Sequence, residues 1–595
     1  MIEAPPVASP PPPPPRRRRS WGLWLAVFIF GFLFLVTTMF YALFQGLGTV
    51  TPSVSRGSAV TIDLARPYPE DPLYRVNGPF VDVQNITFRE LLLAIRNAKD
   101  DARIDKLFIR VRGTRLGWGN AFELRSALVD FKLSTKPVVA FIEYAGNRDY
   151  YLASAADEVY LHPRGSIDLR GIRAELLFVK AMLDKIGVEA EFERFGAYKD
   201  APDMFLRENM SNESREAIGE LVDTIHGSLV EGLAEGRGVD VATMEALVAK
   251  GPFTAEEALE HGLVDGLRYI DEVRDGLAPE GEKAKTVAVA GYRRASGGSR
   301  FGTKGRIAIV YGIGAIVGGG SGEDAMFGRV MGSETIGEAF RKVREDESID
   351  AVVFRIDSPG GSDVASDVIW REAMLTRKEK PVVVSMANVA ASGGYWIAMA
   401  SDTVVAEPTT ITGSIGIYGG KFNLRGLYGK IGLSHDGVSS APNADFFSDS
   451  RSFTEEERAR FRHMIETGYR AFLDRVAEAR GMTTDEVHAV AQGRVWSGRS
   501  ALDHGLVDEL GGLSRALEIA KEKAGFGRSD RVELVVYPEK KSLFEVLISN
   551  FLGARSSGGA LDALAPGKLL ERSPLLRSLA TGKPLALMPY RLELN

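Results

Sequence analysis

The sequence predicts an α/β protein built from two related units of roughly 240 residues each. The first observation is an internal repeat, since Tyr150–Ile172 returns as Tyr395–Ile417 about 245 residues later. The second is the alternation of short apolar runs with amphipathic helical patterns, which is typical of α/β units with largely parallel strands. The repeat covers most of the chain and therefore outweighs the larger domain number that length alone suggests.

Other matching segments keep nearly the same offset along the chain. Lys136–Gly146 (KPVVAFIEYAG) corresponds to Lys380–Ala390 (KPVVVSMANVA), and Ala258–Leu267 corresponds to Ala501–Leu510. A duplicated fold is the simplest interpretation.

The two units differ at the positions that matter for chemistry. In the alignment Ser392 faces Asn147, and Lys199 faces Ser439 or Ser440. One unit keeps a serine and the other keeps a lysine. We therefore hypothesise that each unit supplies one member of a Ser–Lys pair.

The same patterns place the elements in order. Thr454–Arg480 reads as a long helix with one packing face and one solvated face. The Gly/Ser-rich basic stretch Arg293–Arg300 is the expected joint between units. We expect strands at Ala59–Leu64, Leu107–Val111, Pro137–Glu143, Val188–Phe195, Arg306–Tyr311, Val352–Ile356 and Pro381–Met386, and helices at Phe88–Ala98, Ala121–Phe131 and from about Tyr395.

These elements divide the chain into five segments. We expect a Pro/Arg-rich tail at 1–20, an anchor at 21–44, a first repeat with the lysine at 57–292, a second repeat with the serine at 304–538, and a C-terminal tail at 539–595. Within that tail Ser542–Leu552 is a candidate amphipathic helix lying against the core or the membrane, with the core favoured.

The N-terminal region predicts one transmembrane helix. Trp21–Phe44 is a nearly unbroken apolar run of 24 residues, and about 20 suffice to cross the hydrocarbon core. Arg16–Arg19 precede it, so the positive-inside rule places the N-terminus in the cytoplasm and the bulk of the chain outside the cytoplasmic membrane. A cleaved signal peptide is the alternative, but its apolar region would be shorter.

Composition excludes several functions. The net charge is −6, with 73 basic and 79 acidic residues, so we expect no nucleic-acid partner. The chain has no cysteine, which excludes disulfides, a thiol nucleophile and cysteine metal sites. We expect neither a metal nor another cofactor.

Two glycine-rich turns mark a candidate carbonyl-binding site. The strand Val352–Ile356 runs into Asp357–Ser362 (DSPGGS), where a tight turn would expose backbone N–H groups as oxyanion donors. Ser392 follows the next strand at the start of a helix, with Gly393 as a second donor. The alternatives are an ordinary strand-to-helix turn and a serine that only caps the helix.

A lysine is the favoured activating base. His261 and His504 occupy the same repeat position, which indicates a structural role, and His435 is the remaining histidine candidate. Burial lowers the pKa of a lysine toward the working range, and Lys199 follows an apolar-rich strand, although a surface lysine remains the alternative. Ser414 could hold its amine, or be a turn serine. Asp200 and Asp357 are candidates for a surrounding charge network.

Together these segments resemble the signal peptide peptidase A family, in its long tandem-repeat bacterial form, within the ClpP/crotonase superfamily. The resemblance runs from roughly Ala59 to Ala520. The motifs that carry it are DSPGGS (Asp357–Ser362), NVAASGGYW (Asn388–Trp396), TGSIGI (Thr412–Ile417), AYKDAPDMF (Ala197–Phe205) and VWSGRSALDHGLVD (Val495–Asp508).

The resemblance implies roles for five residues. Ser392 would be the nucleophile, Lys199 the general base and Ser414 a residue that positions the lysine, while Gly361 and Gly393 would form the oxyanion hole. Gly361 is the softer assignment, because Gly360 is adjacent.

The resemblance also implies a fold, an assembly and substrates. The fold would be a tandem ClpP/crotonase-like spiral of ββα units. The assembly would be a homotetramer on the outer face of the cytoplasmic membrane. The substrates would be remnant signal peptides and other hydrophobic peptides, held in a pocket for which Val389, Ile415 and Ile417 are candidates.

Two further function classes share some of these features. A crotonase-type acyl-CoA enzyme would use the same fold and backbone oxyanion hole, but it would need a carboxylate base and a nucleotide site. An inert, membrane-anchored scaffold would need neither Ser392 nor Lys199. The anchor and the Ser–Lys pair favour the peptidase.

Overall fold

The computed structural model describes residues 21–48, 53–71, 86–296, 303–324, 328–539 and 584–588. The chain divides into two compact units, Met1–Ser53 and Val54–Asn595. In the first unit, helix α1 (Trp21–Gly48) contains the predicted apolar run. Counting only the described residues, no helix is long and apolar enough to cross a membrane. The tail expected at 1–20 and the helix expected at Ser542–Leu552 lie outside the described residues.

Within Val54–Asn595, the first half corresponds to the first sequence repeat and alternates strands and helices. Its elements are β1 (Ser58–Asp63), α2 (Phe88–Asp100), β2 (Ile104–Val111), α3 (Trp118–Lys132), β3 (Val138–Gly146), α4 (Asn147–Ala153), β4 (Glu158–Asp168), α5 (Lys180–Ile186), β5 (Glu189–Phe195), α6 (Asp203–Leu206), α7 (Asn212–Arg237), α8 (Val241–Val248), β6 (Phe253–Thr254), α9 (Ala255–Glu260), β7 (Gly266–Leu267), α10 (Ile270–Asp275), β8 (Lys285–Ala288) and α11 (Val289–Ala295).

The second half repeats the alternation and ends in a short strand. Its elements are β9 (Gly305–Ile313), β10 (Ala315–Val317), β11 (Gly322–Asp324), β12 (Gly328–Gly332), α12 (Ser333–Glu345), β13 (Ala351–Ser358), β14 (Gly360–Ser362), α13 (Asp363–Arg377), β15 (Val382–Ala391), α14 (Gly393–Ala398), β16 (Thr403–Ala406), β17 (Ile411–Gly413), β18 (Ile417–Asn423), α15 (Arg425–Ile431), α16 (Glu455–Arg480), α17 (Thr484–Val490), β19 (Val495–Ser497), α18 (Gly498–Asp503), β20 (Glu509–Leu510), α19 (Leu513–Lys523), β21 (Val532–Tyr537) and β22 (Leu585–Leu587).

Capping chemistry explains where the long helix α16 begins. The Glu457 N–H donates to the Thr454 hydroxyl at 3.1 Å, and the Thr454 N–H donates to the Glu457 carboxylate at 2.8 Å. This reciprocal capping box satisfies two N–H groups that a helix start leaves open. The connection between the two repeats that the sequence predicted at Arg293–Arg300 needs a correction. Its first residues, Arg293–Ala295, belong to helix α11 rather than to a loop.

The strands of the described residues form three sheets. The first has the order β6-β4-β3-β2-β1-β8 with β7 beside β4, and the third has the order β19-β17-β15-β13-β9-β21 with β16 between β15 and β20. The second, which we call the shared sheet, has the order β11-β12-β10-β14-β22-β18-β5. Its edge strand β5 comes from the first half and pairs antiparallel with β18 along seven residues, from Ile417↔Phe195 to Asn423↔Glu189.

A buried ion cluster also joins the halves. Arg355 on β13 is fully buried, and its guanidinium donates to the Glu70 carboxylate at 2.7 Å and to the Glu123 carboxylate at 2.9 Å. Both glutamates belong to the first half. Loss of one partner from such a cluster leaves a buried charge uncompensated, so the cluster ties β13 to the first half.

The DSPGGS segment differs from the expected tight turn. Strand β13 continues to Ser358, and Gly360–Ser362 forms the short strand β14 in the shared sheet. Gly360 has a φ of +99°, a backbone conformation that residues other than glycine rarely adopt. A Cβ on Gly361 would overlap the backbone of Ile316, so the glycine permits the close approach of β10 and β14.

Candidate active site

Ser392 stands between strand β15 and helix α14. Its φ of +55° and ψ of −115° lie outside the ordinary regions for a serine, and such strain concentrates at functional sites. The Ser392 N–H donates to the Gly413 carbonyl at 2.8 Å, which fixes this geometry. The side chain is fully buried, and it makes no hydrogen bond that caps helix α14. Helix capping therefore does not explain the residue.

Lys199 reaches the same point from the first half. It follows β5, the strand that enters the shared sheet, and its side chain is fully buried. Its Nζ lies 2.8 Å from Ser392 Oγ, 3.0 Å from Ser414 Oγ and 3.1 Å from the Ser414 carbonyl oxygen. The structure therefore brings together the three side chains that the sequence singled out.

The environment of Lys199 favours a neutral amine. Burial away from water lowers the pKa of Lys199 from its usual value to about 7, and the nearby negative charge of Asp200 opposes that shift. A lysine with a pKa near neutrality is deprotonated in a large fraction of molecules, so it can accept the proton of a serine hydroxyl.

The loop Gln492–Arg494 of the second half holds both Ser414 and the segment that carries Lys199. The Ser414 N–H donates to the Arg494 carbonyl at 2.7 Å, and the Tyr198 N–H donates to the Gln492 carbonyl at 2.9 Å. A Cβ on Gly493 would lie 2.5 Å from the Lys199 backbone, so only glycine fits between them. Nothing in the sequence pattern had singled out this loop.

The expected oxyanion glycines lie beside each other. The Gly360 N–H donates to the Ser358 hydroxyl at 3.2 Å and is therefore engaged. A Cβ on Gly393 would lie 3.2 Å from the Gly361 nitrogen, which places the Gly361 amide next to the start of helix α14. These positions favour Gly361 over Gly360 as a donor.

Of the two acidic candidates, Asp357 lies among hydrogen bonds rather than beside the lysine. Its carboxylate accepts from Asn388 Nδ2 at 2.9 Å and from the Val389 N–H at 3.0 Å. Burial raises the pKa of Asp357 to about 6. These contacts hold the end of β13 to the segment that leads to Ser392.

The remaining candidates differ in their positions. Val389 lines a large cavity of about 1740 Å³ that adjoins the site and reaches Asn147 in the first half. Ile415 and Ile417 are fully buried in the core. His435 is exposed and packs its ring against Tyr428 at 4.5 Å, with no hydrogen bond to Ser392 among the described residues.

The sequence also gave no sign of the strand β22 at this site. Leu585–Leu587 pair with β14, the strand that contains Gly361. A three-residue apolar run outside the repeat carries too little pattern to be recognised as a strand.

Comparison with known proteins identifies the family. The profile of peptidase family S49 matches residues 130–284 and 374–527, once in each half. The chain is 34% identical over 526 residues to Serine protease SPPA, chloroplastic, of Arabidopsis thaliana, covering 87% of this chain and 76% of that protein. It is 33% identical over 519 residues to Protease 4 of Salmonella typhi, covering 85% and 82%.

A third relative extends the same pattern. Protease 4 of Haemophilus influenzae is 34% identical over 483 residues, covering 76% of this chain and 75% of that protein. The similarity thus includes both halves of the duplicated fold. A family match in each half, together with alignments over most of the chain, shows that this protein belongs to peptidase family S49 and is a serine peptidase of its tandem-repeat form.

Proposed function

We propose that the protein is a membrane-anchored endopeptidase that hydrolyses hydrophobic peptides with a Ser392–Lys199 dyad. The observation that carries this proposal is the 2.8 Å separation between Lys199 Nζ and Ser392 Oγ, two fully buried atoms contributed by different halves. The lowered pKa of Lys199 supports its role as general base.

The mechanism follows from this geometry. Neutral Lys199 takes the proton of Ser392 as Oγ attacks the substrate carbonyl carbon, and the N–H groups of Gly361 and Gly393 stabilise the oxyanion. The lysine ammonium then gives its proton to the leaving amine, which breaks the peptide bond. Water attacks the acyl-enzyme with Lys199 again as base, and Ser392 regains its proton. Ser414 holds the amine through its hydroxyl and carbonyl oxygens.

Location and substrates form the second part of the proposal. The apolar run Trp21–Phe44 of the sequence and the preceding Arg16–Arg19 support an anchor in the cytoplasmic membrane with the peptidase outside. A relative from Enterococcus faecium, 32% identical over 205 residues, is named Putative signal peptide peptidase SppA. We therefore propose remnant signal peptides among the substrates, because their apolar cores suit a site at the membrane surface.

The test is cleavage of a leucine-rich fluorogenic peptide by the full chain and by Ser392→Ala and Lys199→Met. Each variant should lose activity by about a thousandfold or more, because the dyad acts as a unit. Circular dichroism checks folding, and Lys250→Met, at an exposed lysine, is the matched control that keeps full activity. Full activity in folded Lys199→Met would mean that the base lies elsewhere.

A further inference from the structure

A bulge in strand β15 sets the direction of the segment that ends at Ser392. The pairing register between β13 and β15 shifts there, so the single residue Asp357 of β13 faces the longer segment Ala387–Val389 of β15. Before the bulge β15 pairs with β16, and after it with β17, the strand whose Gly413 carbonyl accepts the Ser392 N–H. Bulges next to active sites re-aim the chain in this way.

Two side chains fill the bulge and satisfy its backbone. Asp357 Oδ1 accepts from the Val389 N–H at 3.0 Å, and Asp357 Oδ2 accepts from Asn388 Nδ2 at 2.9 Å. A bulge interrupts the ladder of backbone hydrogen bonds, and the carboxylate supplies the acceptor that the Val389 N–H needs. The pair of Asp357 and Asn388 therefore holds β15 in its bulged path to Ser392.

The same pair receives a contact from the first half. Asn388 Oδ1 accepts from the Asn120 N–H at 3.1 Å, one of the N–H groups that the start of helix α3 leaves without a partner inside the helix. A Cβ on Gly117 would overlap the Asn388 amide, and a Cβ on Gly119 would lie 2.6 Å from the Ala387 carbonyl oxygen. The first turn of α3 thus lies directly on the bulge. Because the Asn388 amide accepts from α3 and donates to β13, the two contacts together fix its orientation.

The repeat without the proposed nucleophile lacks this pair. In the alignment Arg112 and Tyr144 occupy the two corresponding positions. They bond to different carboxylates, Arg112 to Asp63 at 2.8 Å and Tyr144 to Asp168 at 3.1 Å. Both repeats build the same two strands without sharing the pair, so the strands themselves do not require it. This difference is expected of side chains that serve the site.

We infer that Asp357 and Asn388 are positioning residues for the nucleophile, and that they place Ser392 according to where helix α3 of the first half lies. The inference rests on the proposed Ser–Lys peptidase and adds a second connection to it. Lys199 enters the site through β5, and Ser392 takes its position from α3 through the pair. Both members of the dyad are therefore placed by contacts across the two halves.

The test exchanges the two side chains. In Asp357→Asn two amides face each other, and in Asn388→Asp two carboxylates do, so each single variant loses the hydrogen bond between them. In the double variant the amide at position 357 donates to the carboxylate at position 388, and the N–H groups of Val389 and Asn120 keep their acceptors. The exchange thus restores every hydrogen bond of the pair with donor and acceptor reversed.

Each single variant should lower kcat for a leucine-rich peptide about thirtyfold with KM nearly unchanged, because a small displacement of a reacting group costs up to about a hundredfold. The double variant should recover kcat to within about threefold of the wild type, since the two changes compensate each other. Arg112→Gln, at the corresponding exposed position of the first repeat, is the matched control with wild-type kcat.

Two results would overturn the inference. One is wild-type kcat in both folded single variants, and the other is a folded double variant that recovers no activity. A wild-type protein that neither cleaves the peptide nor reacts with a serine-directed fluorophosphonate would instead contradict the proposed function.

A first-half variant covers the case in which the single variants do not fold. Gly117→Ala places a methyl group against the Asn388 amide and changes no residue of the second half. It should slow fluorophosphonate labelling of Ser392 about tenfold, and this rate reports on the nucleophile without peptide binding. Gly219→Ala, whose Cβ would meet open space on α7, is the control with the wild-type rate. An unchanged rate in folded Gly117→Ala would show that α3 does not position the serine and would overturn the inference.

Discussion

At the scale of single residues, burial favours the neutral amine that the proposed role of Lys199 as general base requires. Among the described residues, the charged neighbour that affects its pKa is Asp200, and desolvation outweighs that contribution. The surrounding hydroxyl and carbonyl oxygens orient the amine without adding charge. A strained serine and a neutral lysine therefore depend on different features, the first on the Ser392 N–H bond to Gly413 and the second on the exclusion of water.

The pH dependence of the enzyme tests this view of Lys199. In the proposed mechanism the neutral amine is the active form, so kcat/KM should rise with pH and level off above an apparent pKa of about 7. In Asp200→Asn the charge that raises the lysine pKa is gone, so the rise should move to lower pH. Asp223→Asn, at an exposed helical position, is the control that leaves the profile unchanged. A shift of Asp200→Asn to higher pH would contradict the assignment.

The sequence predicted the participants of the site better than their arrangement. The repeat alignment singled out Ser392 and Lys199, because each stands at a position where the other unit has a different residue. It could not predict that β5 pairs with β18, since strand pairing between distant segments leaves no mark in local periodicity. The loop Gln492–Arg494 escaped notice for the same reason, because its role depends on contacts with the other half.

At the scale of elements, Arg494 connects the loop at the site to a helix of the first half. Its guanidinium donates to Glu216 at 2.6 Å and to Glu220 at 2.8 Å, both on α7. It also lies over the rings of Tyr198 and Trp496, at 4.8 Å and 4.3 Å from their centroids. Arg494 is thus a positioning residue that keeps the lysine segment of one half against the serine segment of the other.

Replacing this residue should loosen the dyad without removing it. We expect Arg494→Met to lower kcat about tenfold, equivalent to ~1.4 kcal/mol in the barrier, and to raise the apparent pKa of activity as water reaches Lys199. Arg494→Lys should recover part of the activity, since it restores one charge contact but not the paired geometry. A lower melting temperature with unchanged kcat and pH profile would indicate a purely structural role.

At the scale of the whole molecule, the pairing of β5 with β18 has no equivalent between the corresponding segments of the two repeats. The offset of 245 residues, which relates Gly187 to Gly432 just before β5, maps this strand onto residues 434–440 and β18 onto residues 172–178; the offset falls to 240 or 241 by Lys199. Within the chain β5 and β18 pair, whereas neither counterpart forms a strand in the described structure. Both counterparts expose an apolar side chain, since Leu177 is 74% exposed and Val438 is fully exposed.

We propose that a second copy supplies the missing pairing, so that residues 434–440 of one chain add to residues 172–178 of the next. A head-to-tail contact of this kind closes into a ring when its rotation allows, in keeping with the homotetramer that the family resemblance implies. A charge at Val438, which is fully exposed in one chain, should abolish the contact, because it would place an unpaired charge in the new interface.

The mass of the full chain in detergent measures this directly. Wild-type protein should have the mass of a tetramer by sedimentation, and Val438→Asp that of a monomer, while Val241→Asp at an exposed position of α8 should remain assembled. Since Lys199 and Ser392 belong to the same chain, monomeric Val438→Asp should still react with a serine-directed fluorophosphonate at Ser392. Dissociation with complete loss of labelling would mean that the dyad forms only in the assembly, and an unchanged mass would place the interface elsewhere.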